Sequence, residues 1–228
     1  MTNPHQNVSF ASNGRTAHGY LATPSGSGPG VVVIQEWWGL TDHVADVTNR
    51  LAAEGFVALA PDLYGGHTTH DAKEAARLMQ QLPVDQAARD LSGAIDHLLG
   101  HESVTSSSVG VVGFCMGGGF AIVLAAQQGD RVGAVVPFYG TPSVTDTDFS
   151  GLTAPMLCHF AEYDRTISME TVAELRDKIQ EQSKVRPQVH VYPAGHAFFN
   201  DQNPAAYHED SARTAWPRTL DFFRRHLT

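Results

Sequence analysis

Cysteine is scarce in this chain of 228 residues, which contains only Cys115 and Cys158. The two lie far apart and neither belongs to a C-x-x-C motif, so a disulfide framework is not expected. A chain that does not depend on disulfides suits a reducing compartment, and we expect a cytoplasmic location.

Long apolar runs and excess positive charge are also missing. No stretch approaches about 18 uninterrupted apolar residues, so no membrane span is expected. The first ten residues, MTNPHQNVSF, lack the basic and apolar regions of a signal peptide. Lys and Arg number 15 against 24 Asp and Glu, a net charge of −9, which argues against a nucleic-acid-binding surface.

Strand and helix patterns alternate along most of the chain. The apolar, β-branched run at residues 31–34 is typical of a strand buried on both faces, and an Asn-Gly pair at 13–14 predicts an N-terminal hairpin. We therefore predict an α/β fold in which a mainly parallel sheet carries helices on both faces. No linker or repeat is evident, so residues 1–228 are predicted to form a single domain.

Local signals set several boundaries of the predicted elements. Thr41 is a candidate N-cap and Gly55 a stop signal for the first helix, and Pro61 ends a strand. A break before Pro83 divides two helices, and a later helix is predicted over residues 168–182.

The segment GFCMG, residues 113–117, joins a predicted strand to a glycine-rich helix. It matches the sharp turn G-x-nucleophile-x-G, with Cys115 in place of the usual serine. The helix N-terminus would favour a thiolate, and the N–H of Met116 would face a developing oxyanion. The alternative is that Cys115 is a small core residue at a tight crossing.

Two further residues follow predicted strands in the order expected of a catalytic triad. Asp164 lies in HFAEYD and His196 in VYPAGH, so the chain order is nucleophile, acid, histidine, as in α/β-hydrolases. His196 would move the proton of Cys115, and Asp164 would orient the imidazole. Taken singly, Asp164 could be a helix cap and His196 an ordinary loop histidine. Their order along the chain, together with Cys115, favours catalysis.

Glu36 follows the buried strand at residues 31–34, in VIQEWWG. The loop there supplies the second oxyanion N–H in such folds, which would be that of Trp37. A carboxylate close to a thiol discourages the resting thiolate. The alternative is a surface glutamate at the end of a strand.

The motifs QEWWGL, APDLYGG, GFCMGGGF, PFYG and GHAFFND, together with Asp164, resemble the dienelactone hydrolase family in order and over nearly the whole chain. The resemblance implies an α/β-hydrolase fold and a triad of Cys115, His196 and Asp164. It also implies that Glu36 contacts the resting thiol and releases it when substrate binds. No cofactor or metal is expected.

One departure from the family concerns the substrate. Dienelactone hydrolases proper bind a substrate carboxylate with arginines, one of them four residues after the catalytic histidine, where this chain has Asn200. Arg77 does not align clearly with a second arginine of this kind, and Arg165 is interpreted as an exposed residue. Bidentate recognition of a carboxylate needs an arginine, so dienelactone specificity itself is not predicted.

Aromatic residues cluster in the same loops and could wall a substrate pocket or cover the core. Asn200 is placed with this predicted pocket, whose aromatic members are Trp38, Tyr139, Phe198 and Phe199. The sequence HTTHD at 67–71 is too weak a pattern for a metal site.

The sequence as a whole predicts a hydrolase of small esters or lactones that acts through an acyl-thioester on Cys115. The alternative is a thiol-based ligand-binding or redox-sensing protein on the same scaffold. Neither a nucleic acid nor a membrane is an expected partner, and no oligomeric state is predicted.

Overall fold

The computed structural model describes residues 3–228 as an α/β protein in two compact units. The first unit ends at Val109 and the second spans Gly110–Thr228. The single domain expected from the sequence stays a prediction. Between residues 3 and 228, no helix is both long and apolar enough to cross a membrane.

Residues 3–108 of the first unit form four strands and three helices. Its elements are β1 Val8–Ser12, β2 Arg15–Ala22, β3 Gly30–Ile34, α1 Asp42–Ala53, β4 Val57–Pro61, α2 Ala72–Gln81 and α3 Val84–Leu99. The strands lie side by side in the order β1-β2-β4-β3. β2 runs antiparallel to both β1 and β4, whereas β3 and β4 are parallel. Every residue of β3 and β4 is buried, as the β-branched run in β3 predicts.

The N-terminal hairpin is confirmed, because Ser12 of β1 pairs with Arg15 of β2 across a two-residue turn. Asn13 and Gly14 have φ of 44° and 82°, the left-handed conformations that this turn requires. Gly55, with φ of 94°, ends α1 as predicted.

Other predicted boundaries are confirmed as well. β4 ends at Pro61, and the helices α2 and α3 separate before α3 begins at Val84, after Pro83 in the N-cap position. Thr41 occupies the N-cap position of α1, although its side chain makes no capping hydrogen bond.

The elements from residue 109 onward form a second run of strands and helices. They are β5 Val109–Phe114, α4 Met116–Gln128, a 3-10 turn Gly129–Arg131, β6 Val132–Phe138, β7 Leu157–Ala161, α5 Met169–Ser183, β8 Gln188–Tyr192 and α6 Glu209–His226. The strands follow the order β5-β6-β7-β8, and β7 is parallel to both β6 and β8. The mainly parallel sheet of the α/β prediction is thereby confirmed.

One boundary differs from the expectation near Asp164. The strand predicted to end at Asp164 stops at Ala161, and the carboxylate lies three residues beyond it in a turn. Ser168, and not Asp164, caps α5, because the Ser168 hydroxyl accepts the N–H of Thr171 at 3.1 Å. Asp164 is therefore not needed as a cap.

A chain of hydrogen bonds through His159 links β7 to β8 and to α6. Arg218 donates to the hydroxyl of Tyr192 at 3.1 Å, and that hydroxyl lies 2.8 Å from Nδ1 of His159. Nε2 of His159 lies 3.1 Å from the hydroxyl of Thr219, which itself donates to the carbonyl of Ala215. Since Arg218 can only donate and Ala215 can only accept, His159 accepts at Nδ1 and donates at Nε2 as a neutral imidazole.

Candidate active site

Cys115 lies at the sharp turn between β5 and α4. Its φ of 54° and ψ of −119° fall in a region that residues other than glycine rarely adopt. The turn is closed so tightly that a Cβ on Gly113 would lie 2.0 Å from the carbonyl oxygen of Gly117. Position 113 therefore requires glycine, as predicted, because the backbone of Gly117 leaves no room for a Cβ.

The end of β6 packs against this turn. The N–H of Cys115 donates to the carbonyl of Phe138 at 3.0 Å. A Cβ on Gly140 would lie 2.0 Å from the carbonyl oxygen of Cys115. The backbone that carries the sulfur is therefore fixed by contacts that no larger residue at position 140 would allow.

His196 lies in the loop after β8 and is hydrogen-bonded at both ring nitrogens. Its Nε2 is 3.1 Å from Sγ of Cys115, and its Nδ1 is 2.7 Å from Oδ2 of Asp164. The three side chains come from the turns that follow β5, β7 and β8. This linear arrangement is the geometry of a nucleophile, a base and an orienting carboxylate.

Asp164 is held by its own backbone as well as by His196. Its second carboxylate oxygen, Oδ1, accepts the N–H groups of Thr166 at 2.7 Å and Ile167 at 3.1 Å. Both oxygens of the buried carboxylate are therefore satisfied.

Two backbone hydrogen bonds join the loop of the acid to the loop of the histidine, a feature that the sequence did not reveal. The N–H of Glu162 donates to Tyr192 at 2.8 Å, and the N–H of Tyr163 donates to Ala194 at 2.9 Å. These bonds extend the pairing of β7 and β8 beyond the strands. They fix the spacing between Asp164 and His196.

The electrostatics of the pair favour an ionised carboxylate beside a protonated imidazole. Burial raises the pKa of Asp164, but hydrogen bonds from His196 and from the N–H groups of Thr166 and Ile167 outweigh it, so the pKa is lowered. Burial lowers the pKa of His196, but its hydrogen bonds with Asp164 and Cys115 raise it to about 10. In the protonated imidazole, Nδ1–H donates to the carboxylate and Nε2–H faces the sulfur.

The residues predicted after β3 are found in the first unit. Glu36 lies two residues beyond β3 and is buried, while Trp37 and Trp38 are half-buried with ring centroids 4.8 Å apart. The gating role of Glu36 and the oxyanion role of Trp37 stay predictions. Met116, the first residue of α4, directly follows the sulfur-bearing residue, and its oxyanion role stays a prediction too.

The aromatic residues predicted for a pocket in the second unit are fully buried. Tyr139, Phe198 and Phe199 pack among the core rings, and Tyr139 also lies against the imidazole of His196, with centroids 5.3 Å apart. Asn200 is buried in a turn, where its Oδ1 accepts the N–H of Gln202 at 3.1 Å. Contact of these residues with a substrate stays a prediction.

Cys158 and the histidines of HTTHD play no evident part in this constellation. Cys158 is buried in β7, where burial raises the pKa of its thiol. Over the described range 3–228, no group of three or more His, Cys, Asp or Glu side chains is arranged to hold a metal ion.

A strained turn after a strand that carries a thiol, with a carboxylate and a histidine after later strands, is the arrangement found in the α/β-hydrolase fold. A sequence model of the dienelactone hydrolase family matches residues 17–227. The chain belongs to the dienelactone hydrolase family, and it is an enzyme of the class that hydrolyses lactones and esters.

Several known proteins are similar over nearly their whole length. "Protein usf" of Aquifex pyrophilus is 35% identical over 230 residues, covering 98% of this chain and 99% of that protein. The "Putative carboxymethylenebutenolidase" of Aquifex aeolicus is 32% identical, covering 97% and 99%.

A solved structure agrees with the fold. The dienelactone hydrolase-like promiscuous phosphotriesterase from metagenomic libraries is 26% identical, with a TM-score of 0.86 and 97% of each chain covered. The family match supports a hydrolase over the alternative of a thiol-based binding or redox-sensing protein.

Proposed function

We propose that the protein hydrolyses small esters or lactones by forming an acyl-thioester on Cys115. The observation that carries this proposal is the continuous contact from Sγ of Cys115 to Nε2 of His196 at 3.1 Å and from Nδ1 to Asp164 at 2.7 Å. A sulfur used only for packing has no need of a buried carboxylate behind its histidine partner.

In the first half of the reaction, the sulfur of Cys115 attacks the carbonyl carbon while His196 holds the proton of the thiol on Nε2. The carbonyl oxygen becomes an oxyanion, for which the N–H groups of Met116 and Trp37 are the proposed donors. When the tetrahedral species collapses, His196 gives the proton to the leaving oxygen. The products at this stage are an alcohol, or the opened end of a lactone, and the thioester.

In the second half, His196 takes a proton from water as the water oxygen attacks the thioester carbon. Collapse breaks the carbon–sulfur bond and releases the acid, and the sulfur recovers the proton from His196. Asp164 remains ionised throughout and stabilises the imidazolium that forms in each half.

We further propose that the preferred substrates are uncharged. The position where the family resemblance places a carboxylate-binding arginine holds Asn200, whose Oδ1 is committed to the N–H of Gln202. An amide cannot supply the paired charged donors with which arginine binds a carboxylate. Neutral esters and lactones should therefore react faster than analogues that carry a carboxylate.

Glu36 is proposed to hold the resting thiol of Cys115 and to release it when substrate binds. Such a gate would limit alkylation and oxidation of the sulfur between turnovers. Glu36→Ala should then speed the reaction of Cys115 with iodoacetamide in the absence of substrate. Glu54→Ala, at an exposed position after α1, is the matched control, and equal rates in both variants would rule the gate out.

The main experiment is a panel of small lactones and esters, with and without a carboxylate, that includes 4-nitrophenyl acetate. Cys115→Ala should lose at least about 10³-fold in kcat, because no other group can form the thioester. Cys158→Ala removes the other thiol and should stay within about threefold of wild type. Turnover retained by Cys115→Ala would contradict the mechanism, and a preference for carboxylate-bearing substrates would contradict the specificity.

A further inference from the structure

The side chain of Tyr139 lies against the imidazole of His196. The ring centroids are 5.3 Å apart and the planes meet at 62°, an edge-to-face arrangement. Hydrogen bonds to Cys115 and Asp164 hold the two nitrogens of His196. A rigid neighbour packed against the ring would further limit its tilt.

Tyr139 meets the requirement of rigidity. Its side chain is fully buried, and the ring of Phe198 packs behind it with centroids 5.3 Å apart. Its N–H donates to the carbonyl of His159 on β7 at 2.7 Å. The ring that touches His196 is therefore fixed by both side-chain packing and backbone pairing.

The backbone at Tyr139 is strained, with φ of 36°. Glycine adopts this conformation without penalty, whereas a residue with a Cβ does not. Strain of this kind persists where the surrounding structure enforces it, and it concentrates at functional sites. A tyrosine in this strained conformation indicates that its ring has a function at the site.

The residues on either side of Tyr139 hold the nucleophile. Phe138 accepts the N–H of Cys115 at 3.0 Å, and Gly140 passes directly beneath the Cys115 carbonyl. One three-residue segment at the end of β6 thus contacts both the nucleophile backbone and the imidazole of the base. A shift of this segment would change the distance between sulfur and Nε2.

We infer that Tyr139 is a positioning residue that holds the His196 ring in the plane from which it exchanges a proton with the Cys115 sulfur. The inference rests on the proposed function, since it assigns Tyr139 a role in that same reaction. It also differs from the expectation that Tyr139 binds substrate, because a positioning residue acts on kcat and a binding residue on KM.

The test compares Tyr139→Leu with Tyr139→Phe, using 4-nitrophenyl acetate as the probe ester. Both replacements keep a Cβ at the strained φ, so their difference isolates the aromatic ring. Tyr139→Leu should lower kcat about 30- to 100-fold with KM within about threefold, because small errors in the placement of reacting groups cost that much. Tyr139→Phe should recover most of the loss.

The control for a general loss of packing is Phe149→Leu. Phe149 is also fully buried, and its ring lies under Lys178 at 5.7 Å beside α5. This variant should lower the melting temperature about as much as Tyr139→Leu while keeping kcat within about threefold of wild type. Should Tyr139→Leu not fold, Tyr139→Met gives the same comparison with a side chain that fills more of the space.

A second readout follows the imidazole directly. The proton between Nδ1 of His196 and Asp164 should give a sharp low-field NMR resonance in wild type, Tyr139→Phe and Phe149→Leu, and a broadened one in Tyr139→Leu. Unchanged kcat in Tyr139→Leu, a rise in KM alone, or an equal loss in Phe149→Leu would overturn the inference. Cys115→Ala is measured in parallel: if it is inactive while Tyr139→Leu is fully active, only the positioning role fails.

Discussion

The carboxylate of Asp164 lies 2.7 Å from Nδ1 of His196, and its side chain is 1% exposed against 24% for the imidazole. The pair therefore places its negative charge in the interior and its titrating ring toward the surface. A buried carboxylate without a partner would be strongly unfavourable, so each member of the pair stabilises the charged form of the other.

Asp164→Asn should lower kcat by about 10²- to 10⁴-fold with little change in fold. The amide oxygen can still accept the N–H groups of Thr166 and Ile167, but the negative charge that stabilises the imidazolium of His196 is lost. Steady-state kinetics with 4-nitrophenyl acetate measure the effect. Glu162→Gln removes an exposed charge two residues away and should stay near wild type; comparable losses in both variants would argue against a specific role for Asp164.

The stability that His196 contributes should be lost at alkaline pH. The pKa of His196 is raised from 6.5 to about 10, so its contribution is complete below about 6.5 and disappears as the pH rises through about 10. Asp164 acts in the acid range, because its pKa is lowered. Its contribution to stability is present above the usual carboxyl pKa and is lost as the pH falls through the lowered value.

Melting temperatures of wild type and His196→Gln, measured from pH 6 to pH 10.5, test this prediction. The difference between the two proteins should shrink steadily over that range. A difference that stays constant would mean that His196 is not protonated in the folded protein.

The buried imidazole of His159 should make the protein sensitive to acid. Burial, with the nearby charges of His190 and Arg218, lowers the pKa of His159 well below 6.5, and its nitrogens are committed to Tyr192 and Thr219 as a neutral ring. The unfolded chain therefore binds a proton before the folded one does, so stability falls as the pH drops below about 6.5.

His159→Gln retains a donor and an acceptor but cannot be protonated. Denaturant unfolding at pH 4.5 and pH 7 should show a smaller loss of stability on acidification for this variant than for wild type. Equal losses would place the acid sensitivity in other groups.

Gly113→Ala should destabilise the fold by at least about 3 kcal/mol. The new Cβ would lie 2.0 Å from the Gly117 carbonyl oxygen, and a backbone atom cannot move away as a flexible side chain can. Gly26→Ala is the control, since no atom lies within 4 Å of the added carbon, and its effect should stay within about 0.5 kcal/mol. Denaturant unfolding measures both, and near-equal stabilities would contradict the close contact at the turn.

The local features of the chain were readable from the sequence because they depend on neighbouring residues. Asn13 and Gly14 specify their hairpin through backbone conformations that few other residues adopt. Pro83 separates α2 from α3, and the glycines around Cys115 mark a turn that a larger residue would block. The order of Cys115, Asp164 and His196 was likewise enough to predict that the three side chains meet.

Features that depend on distant residues were not readable. The extended pairing of the acid and histidine loops, through Glu162 and Tyr163, uses backbone groups that carry no sequence signature. The strand before Asp164 was predicted to be too long because an apolar run does not show where its backbone leaves the sheet. The burial of Phe198 and Phe199 was not readable either, because an aromatic residue in a loop looks the same in sequence whether it is buried or exposed.

The sequence by itself determined the α/β class, the tight turn at Cys115 and the identities of the three side chains that meet beside it, because residue type and strand-to-helix order carry that information. Only the tertiary structure decided the 3.1 Å contact between sulfur and imidazole, the burial of Asp164 and the place of Tyr139 beside His196. Those distances arise from the packing of β5, β6, β7 and β8, which come from separate parts of the chain. The reactivity proposed for Cys115 depends on both.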